Sequence, residues 1–424
     1  MYPKGIKTRI NSYPQIKNSL TMESGIHHYK RALERQIELI RIHPEILEKN
    51  KKLVVEFKDY MLSEGIGDSK IARYMCDVKK FCLMLRKPLK QATEGDLRRV
   101  VGQIEQSELA PESKKGFKIL VRKLYRFLRD CKKKGQYPPE VEWISIGMQA
   151  NTRKLPEELL TEEEVQKLIR ACDGARDKAF ISTLAESGAR ISEIGTMKIK
   201  HVDFEKYGTR LTIAGKTGTR KILIIYSTPA LQQWINNHQH NDNPDSFLWT
   251  NSNNELLGYD MMSAILRKAV RKAGIKKHVH PHLLRHSRAT QMASIMSEAA
   301  MKQYFGWTQG SRMAAIYVHM SGKDTDEAVL RANGIEIKKE EKKTILKPEK
   351  CKRCGTINEI TNKFCKICAF PLREEEAQKA LIEDEKRTKV SEIMNSLLQD
   401  PEILELLSRK IKAKAEKPQS RKSQ

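Results

Sequence analysis

Apolar residues recur at helical spacing along most of this chain, and only two short runs alternate in the manner of strands. Those runs, Leu211–Ala214 and Lys221–Ile225, flank Gly215-Lys216-Thr217-Gly218-Thr219, so they predict one hairpin. A parallel-sheet enzyme needs strands that alternate with helices throughout, and that pattern is missing. The expected fold class is mainly α with a small antiparallel sheet, an α-rich α+β domain accompanied by helical segments. At 424 residues the chain is long enough for two or three domains.

The helical signals are specific in places. Pro44 marks a helix start, after which Leu47, Val54, Phe57 and Met61 recur on one face. A second helix begins near Asp68, with Ile71, Met75, Val78 and Cys82 on its face. Thr93 with Asp96 caps a third, and Pro111 opens a fourth that carries Phe117, Leu120, Leu124 and Tyr125. The resulting organisation is a flexible lead-in at 1–26, a four-helix bundle at 27–135, and a linker at 136–156 around Pro138-Pro139. A mixed domain at 157–335 follows, opened by the capping box Thr161–Glu164. Within it Thr228-Pro229 restarts a helix, and Phe247–Trp249 reads as a further short strand. A cysteine segment at 348–373 and a helical, basic tail at 374–424 complete the chain.

Lys plus Arg number 79 against 53 for Asp plus Glu, a formal net charge of +26. Such a surplus points to a polyanionic partner. No run of about 18 uncharged apolar residues is present, so nothing is expected to span a bilayer, and Met1–Leu20 lacks the apolar stretch of a secretory signal. Nucleic acid is therefore favoured over membrane. Four of the eight cysteines, Cys76, Cys82, Cys131 and Cys172, are scattered and read as free buried thiols. The other four, Cys351, Cys354, Cys365 and Cys368, form two C-x-x-C pairs ten residues apart. Tetrahedral zinc takes four such ligands, and a segment this short folds only around its metal. A structural Zn2+ and a reducing, cytoplasmic compartment are expected.

Several residues attract attention singly, and each has a bland reading. Gly215-Lys216-Thr217 tempts towards a nucleotide-binding loop, but the required upstream glycine is Arg210 and a strand follows instead of a helix. A lysine at the tip of a ribbon remains, suited to a phosphate or to a solvated turn. Arg190, followed by Glu193, can fork onto two phosphate oxygens with the carboxylate fixing its rotamer, or can be an i,i+3 surface pair. His282 and Arg285 lie three apart on one helix face; His282 and His286 share i,i+4 spacing, but no third ligand is spaced to complete a metal site. Trp307 after Gly306, and Tyr317 ten residues on, are by themselves packing residues.

Taken together and in order, these motifs resemble the tyrosine recombinase, or phage integrase, family. The matches are Gly188-Ala189-Arg190-Ile191-Ser192-Glu193, the Lys216 hairpin, Pro281-His282-Leu283-Leu284-Arg285-His286, and Gly306-Trp307 with Ile316-Tyr317-Val318-His319. Lys216-Thr217-Gly218-Thr219-Arg220 and Gly306-Trp307-Thr308-Gln309-Gly310-Ser311 look most like its archaeal integrase branch. The resemblance implies that the bundle is a SAM-like core-binding domain and that 157–335 is catalytic. It implies site-specific cutting and rejoining of double-stranded DNA by tetramers on paired sites, with no metal or ATP in the chemistry. Tyr317 is then the nucleophile, Arg190 and Arg285 clamp the phosphate, and Lys216 protonates the leaving oxygen. His282 assists proton transfer, Trp307 donates to the phosphate, and Glu193 organises its neighbours. The alternatives are a DNA-binding regulatory or architectural protein on the same scaffold and a type IB-like relaxing enzyme. The interval from Trp307 to Tyr317 is one residue longer than in the bacterial pattern. One residue turns a helical side chain by about 100°, which the connecting loop must absorb.

Overall fold

In a computed structural model, residues 26–133, 135–147, 158–320, 333 and 346–415 are described. The chain separates into two units, Met1–Lys154 and Leu155–Gln424. Nearly all of the expected lead-in, the later part of the expected linker and the end of the basic tail lie outside the described residues.

The first unit is wholly helical among its described residues. Helices α1 (Tyr29–Arg41), α2 (Glu48–Ser63), α3 (Asp68–Leu85), α4 (Glu94–Gln106) and α5 (Pro111–Leu128) are followed by the single turn α6 (Pro139–Glu142). The bundle thus has more than the four helices expected. α1 was not distinguished in the sequence because its apolar face is sparse: only Leu33 and Ile40 are buried. Pro44 lies in the turn before α2, and Leu47 is an exposed N-cap residue, so that helix starts later than expected. The other boundaries follow their local chemistry. Thr93 and Asp96 exchange both capping-box hydrogen bonds, and Pro111 occupies the first turn of α5, where a missing N–H costs nothing.

Phe57, Phe81, Phe117 and Tyr125 fill the centre of this unit. Val141 and Ile144 are as deeply buried as they are, so the expected linker begins as part of the bundle. The reason is apolar content: a Pro-Pro pair signals a turn, but the residues behind it carry surface that packs. Asn50 is the polar anchor. Its amide donates to Lys87 O at 2.9 Å and accepts from Leu89 N at 2.9 Å, and Tyr125 Oη donates to Leu89 O at 3.0 Å.

The second unit begins with α7 (Glu162–Arg170), α8 (Ala175–Ser187) and α9 (Ile191–Gly195). A three-stranded antiparallel sheet of β1 (Val202–Glu205), β2 (Gly208–Gly215) and β3 (Gly218–Ile224) is next, in the order β1-β2-β3. The hairpin is where the sequence places it. β1 is an additional edge strand, exposed along most of its length and therefore without an apolar signal. The run Phe247–Trp249 makes only isolated bridging, Lys198 against Phe247, while Leu248 and Trp249 are buried in the core. Five helices follow, α10 (Thr228–Asn236), α11 (Tyr259–Lys272), α12 (Pro281–Ala293), α13 (Glu298–Phe305) and α14 (Met313–Met320).

Helix α8 is buried on every side from Ala179 to Ser187 and is in contact with α7, α10, α12 and β3. At its end the buried Glu186 carboxylate accepts hydrogen bonds from Ile225 N (2.6 Å), Tyr226 N (3.0 Å), Ser227 N (2.8 Å) and Ser227 Oγ (2.6 Å). That carboxylate ties the end of the sheet to the end of the central helix, which is where the functional residues begin. A short hairpin of β4 (Glu349–Lys350) and β5 (Ile357–Asn358) carries the cysteine segment. It rests on α7 and α8 through Gln166 Nε2 to Ile360 O (3.3 Å) and Lys178 to Glu359 (3.2 Å). The last elements are the largely exposed helices α15 (Glu374–Leu398) and α16 (Pro401–Ala415). No helix among the described residues is long and apolar enough to cross a membrane.

Asn50→Ala removes two hydrogen bonds and leaves the buried Leu89 N–H and the part-buried Lys87 carbonyl without them. It should lower the stability of the helical unit by about 2 kcal/mol, seen as a lower urea midpoint with an unchanged slope.

Candidate functional site

The site is assembled where three helix ends and one hairpin turn meet. Gly188 ends α8 with φ +57°, and a Cβ there would stand 2.6 Å from the Phe305 ring. Glycine is needed for both reasons. Two residues on, Arg190 is the N-cap residue of α9. Its backbone N–H donates to Glu193 Oε2 at 2.9 Å and its guanidinium to Oε1 at 2.8 Å. Arg220 of β3 grips the same carboxylate at 2.9 Å and also donates to Tyr304 O at 2.9 Å. The pair is therefore no surface i,i+3 contact. Glu193 is buried, while the Arg190 side chain keeps 32% of its surface exposed. Burial alone would raise the Glu193 pKa, but Arg220, the Arg190 backbone and the Arg190 side chain together hold it below the usual range.

Glu193 also locates the hairpin turn. A Cβ on Gly215 would overlap its carboxylate, and Thr217 Oγ1 donates to Gly306 O at 3.0 Å. The backbone of Lys216 lies between these two anchored residues, with its side chain exposed. Pairing of Gly215 with Gly218 closes a two-residue turn, and Gly218 takes φ +105°.

Helix α12 starts from His280, whose ring accepts the Leu283 N–H at 3.2 Å, followed by Pro281 in its first turn. His282 is exposed one residue later. Arg285 is buried and donates to two backbone carbonyls, Gly188 O at 2.8 Å and Phe305 O at 2.7 Å. Its guanidinium also lies 5.3 Å from the Phe305 ring and 5.4 Å from the Trp307 ring. Burial first, and the neighbouring Arg190 charge second, bring its pKa down to about 10. At neutral pH it remains a cation.

Gly306 ends α13 at φ +62°, and a Cβ there would lie 2.6 Å from the Arg220 guanidinium. Trp307 follows, and a turn closed by Ser311 N to Thr308 O (3.0 Å) leads into α14. Tyr317 returns to stack on Trp307, with ring centroids 5.5 Å apart and planes 3° from parallel. Tyr317 is 3% exposed, its oxygen is in hydrogen-bond contact with His286 Nδ1, and burial pushes its pKa up to about 12 despite the Arg285 charge.

Arg190, Glu193, Arg285, Trp307 and Tyr317 thus form one connected cluster with the Lys216 turn against it, while His282 is on the exposed flank of α12. Two members were not singled out from sequence. Arg220 had a signal: Ile222 and Ile224 face inward on β3, and period-two alternation puts Arg220 on the same side. His286 belongs to the Pro281–His286 motif, and its i,i+4 spacing from His282 gives no sign of its contact with Tyr317. Among the described residues the one group of side chains close enough to share a metal is the cysteine quartet.

In that quartet the four Sγ atoms lie within 4.8 Å of one another. The two knuckles repeat one geometry: Gly355 N donates to Cys351 O and Ala369 N to Cys365 O, both at 2.9 Å. Gly355 and Ala369 occupy equivalent left-handed positions, φ +75° and +54°. Alanine there carries the strain that glycine avoids.

The phage integrase family profile matches residues 158–323. The chain is 31% identical over 243 residues to the tyrosine recombinase XerA of Pyrococcus furiosus, covering 52% of this chain and 84% of that protein. It is 26% identical over 300 residues to the tyrosine recombinase XerC of Oceanobacillus iheyensis, covering 66% and 96%. Among solved structures, the fold is similar to XerH site-specific recombinase bound to difH substrate, with TM-score 0.52 and 18% identity, covering 73% of this chain and 95% of that one.

Glu193→Gln keeps the shape but leaves two guanidinium groups facing a neutral amide in a buried place. It should cost about 3 kcal/mol at pH 7. Because the native carboxylate titrates below its unfolded value, its contribution is present above the usual glutamate range and is lost as the pH falls through the depressed value. The gap between parent and variant in urea titrations should therefore close towards acid.

Proposed function

This chain belongs to the tyrosine recombinase family, and we propose that it cuts and rejoins double-stranded DNA at specific sites through a 3′-phosphotyrosyl intermediate formed by Tyr317. The observation that carries the assignment of the nucleophile is a phenol buried against Trp307 beside the Arg285 guanidinium, with Arg190 and Glu193 in the same cluster.

In the reaction the phenolic oxygen forms a bond to the scissile phosphorus and the bond to the 5′-oxygen breaks. Negative charge grows on the non-bridging oxygens, where Arg190 and Arg285 are clamped in advance by Glu193 and by two carbonyls, so little reorganisation is needed. Lys216, at the tip of its ribbon, gives a proton to the departing 5′-oxygen, and His282 assists proton transfer. The Trp307 indole N–H donates to phosphate. Because the covalent link stores the energy of the broken bond, a second strand's 5′-hydroxyl reverses the step without ATP. No cofactor takes part in this chemistry.

The helical unit, 27–135, is assigned as the core-binding domain and 157–335 as the catalytic domain, both holding duplex DNA. With a net charge of +26, binding should weaken steeply with added salt. Action as a tetramer on paired sites, a cytoplasmic location and descent from the archaeal branch belong to the same reading. The segment 348–373 is assigned as a zinc ribbon held by Cys351, Cys354, Cys365 and Cys368, which the clustered thiols and repeated knuckles fit. Zinc held by these four thiolates would supply the cross-linking that so short a segment lacks in apolar core.

On suicide DNA substrates the parent should accumulate a covalent adduct and Tyr317→Phe should form none while still retaining DNA. Adducts that persist in the variant overturn the assignment of the nucleophile, and their absence in the parent favours a DNA-binding protein without chemistry. Supercoil relaxation independent of target sequence would indicate a relaxing enzyme instead. For the ribbon, elemental analysis should find one zinc per chain, lost in Cys354→Ser. Ala369→Gly, which removes strain of about 1 kcal/mol, should retain zinc at higher chelator concentrations than the parent.

A further inference from the structure

The geometry points to His286 as the group that takes the proton from Tyr317 when the phenol attacks phosphorus, an assignment that rests on the recombinase reading above and adds a catalytic residue to it. The nucleophile needs such a partner. Burial holds the Tyr317 phenol in its protonated form at neutral pH, and the Arg285 charge offsets this only in part. A proton on the attacking oxygen must leave during the step, and the environment offers it few places to go.

The groups in contact with Tyr317 differ in what they can accept. Trp307 covers the ring face to face, and its indole N–H is a donor only. Arg285 is a cation with five donors and no acceptor. His286, on α12 directly after Arg285, brings Nδ1 into hydrogen-bond contact with the Tyr317 oxygen, with ring centroids 5.8 Å apart. A neutral imidazole has one unprotonated nitrogen, and with the proton on Nε2 that nitrogen is Nδ1. His282, one helical turn earlier, has its side chain on the exposed flank, a position suited to the phosphate and leaving-group side.

The step balances within the site. As the oxygen of Tyr317 bonds to phosphorus, its proton passes to His286 Nδ1, giving an imidazolium. The electron pair of the broken bond stays on the 5′-oxygen, which takes a proton from Lys216. In rejoining, the 5′-hydroxyl returns its proton to Lys216 while the imidazolium returns the other to the departing phenol. Nucleophile and leaving group therefore have separate proton carriers on different elements, α12 and the β2–β3 turn.

That separation supplies the test. In DNA with sulfur in place of the bridging 5′-oxygen, the leaving thiolate needs no proton, so a defect in leaving-group protonation is rescued and a defect at the nucleophile is not. His286→Ala, His286→Asn and Lys216→Ala are compared with the parent in single-turnover adduct formation, on ordinary and sulfur-bridged substrates, with DNA retention measured alongside. The expected result is rescue of Lys216→Ala by sulfur. Both His286 variants should stay slow on both substrates, by about 100-fold or more. His286→Asn keeps a hydrogen-bond acceptor for the phenol but cannot carry its proton, so it also guards against a misfolded alanine variant. Sulfur rescue of the His286 variants, a parental rate in His286→Ala, or restoration by asparagine would each overturn the assignment. Failure of the parent to form adducts on either substrate would instead count against the recombinase reading itself.

Discussion

A carboxylate buried between two guanidinium groups organises the second unit. Glu193 receives the backbone and side chain of Arg190 from one direction and Arg220 from the other, and Arg220 continues to the carbonyl of Tyr304. Three segments remote in sequence, the α8–α9 turn, the hairpin and the end of α13, are joined through one charge. A buried ion network of this kind adds little net stability compared with an apolar replacement, because desolvation is expensive. What it adds is geometric: Arg190 is held in one orientation while its side chain stays partly exposed.

Arg285 follows the same logic with neutral partners. Two carbonyls, at Gly188 and Phe305, each accept one of its N–H groups, so the cation is fixed without being neutralised by a paired acid. The residues around those carbonyls are glycines at positive φ, Gly188 and Gly306, each placed where a Cβ would strike a neighbour. Gly188 thus permits close approach of the Phe305 ring, and Gly306 that of the Arg220 guanidinium. Burial lowers the Arg285 pKa to about 10, still well above neutral pH, so the guanidinium stays charged, and burial raises that of Tyr317, which holds the phenol protonated.

Much of the fold was readable locally. Capping boxes at Thr93 and Thr161, Pro111 at a helix start and the glycine-bounded turn at Lys216 act within a few residues, and their outcome follows from short-range hydrogen bonding. What escaped was governed by packing at distance. α1 buries too few residues to announce itself, β1 is an edge strand with polar exposure, and residues 139–144 look like linker until Val141 and Ile144 are seen to fill the bundle. Pro44 misled because proline suits a turn as well as a first helical turn.

The order and spacing of motifs were sufficient to identify the family and to single out Arg190, Glu193, Lys216, His282, Arg285, Trp307, Tyr317 and the four cysteines, because residue type and periodicity are properties of the chain itself. Only the tertiary structure decided which of these touch. It buried Glu193 and Arg285, left Lys216 and His282 exposed, and added Arg220 and His286 to the cluster. It also brought Tyr317 back to stack on Trp307, ten residues earlier in the chain. The reason is that burial and contact depend on elements far apart in sequence: whether a carboxylate is desolvated, or a phenol finds an imidazole, is set by what folds against it.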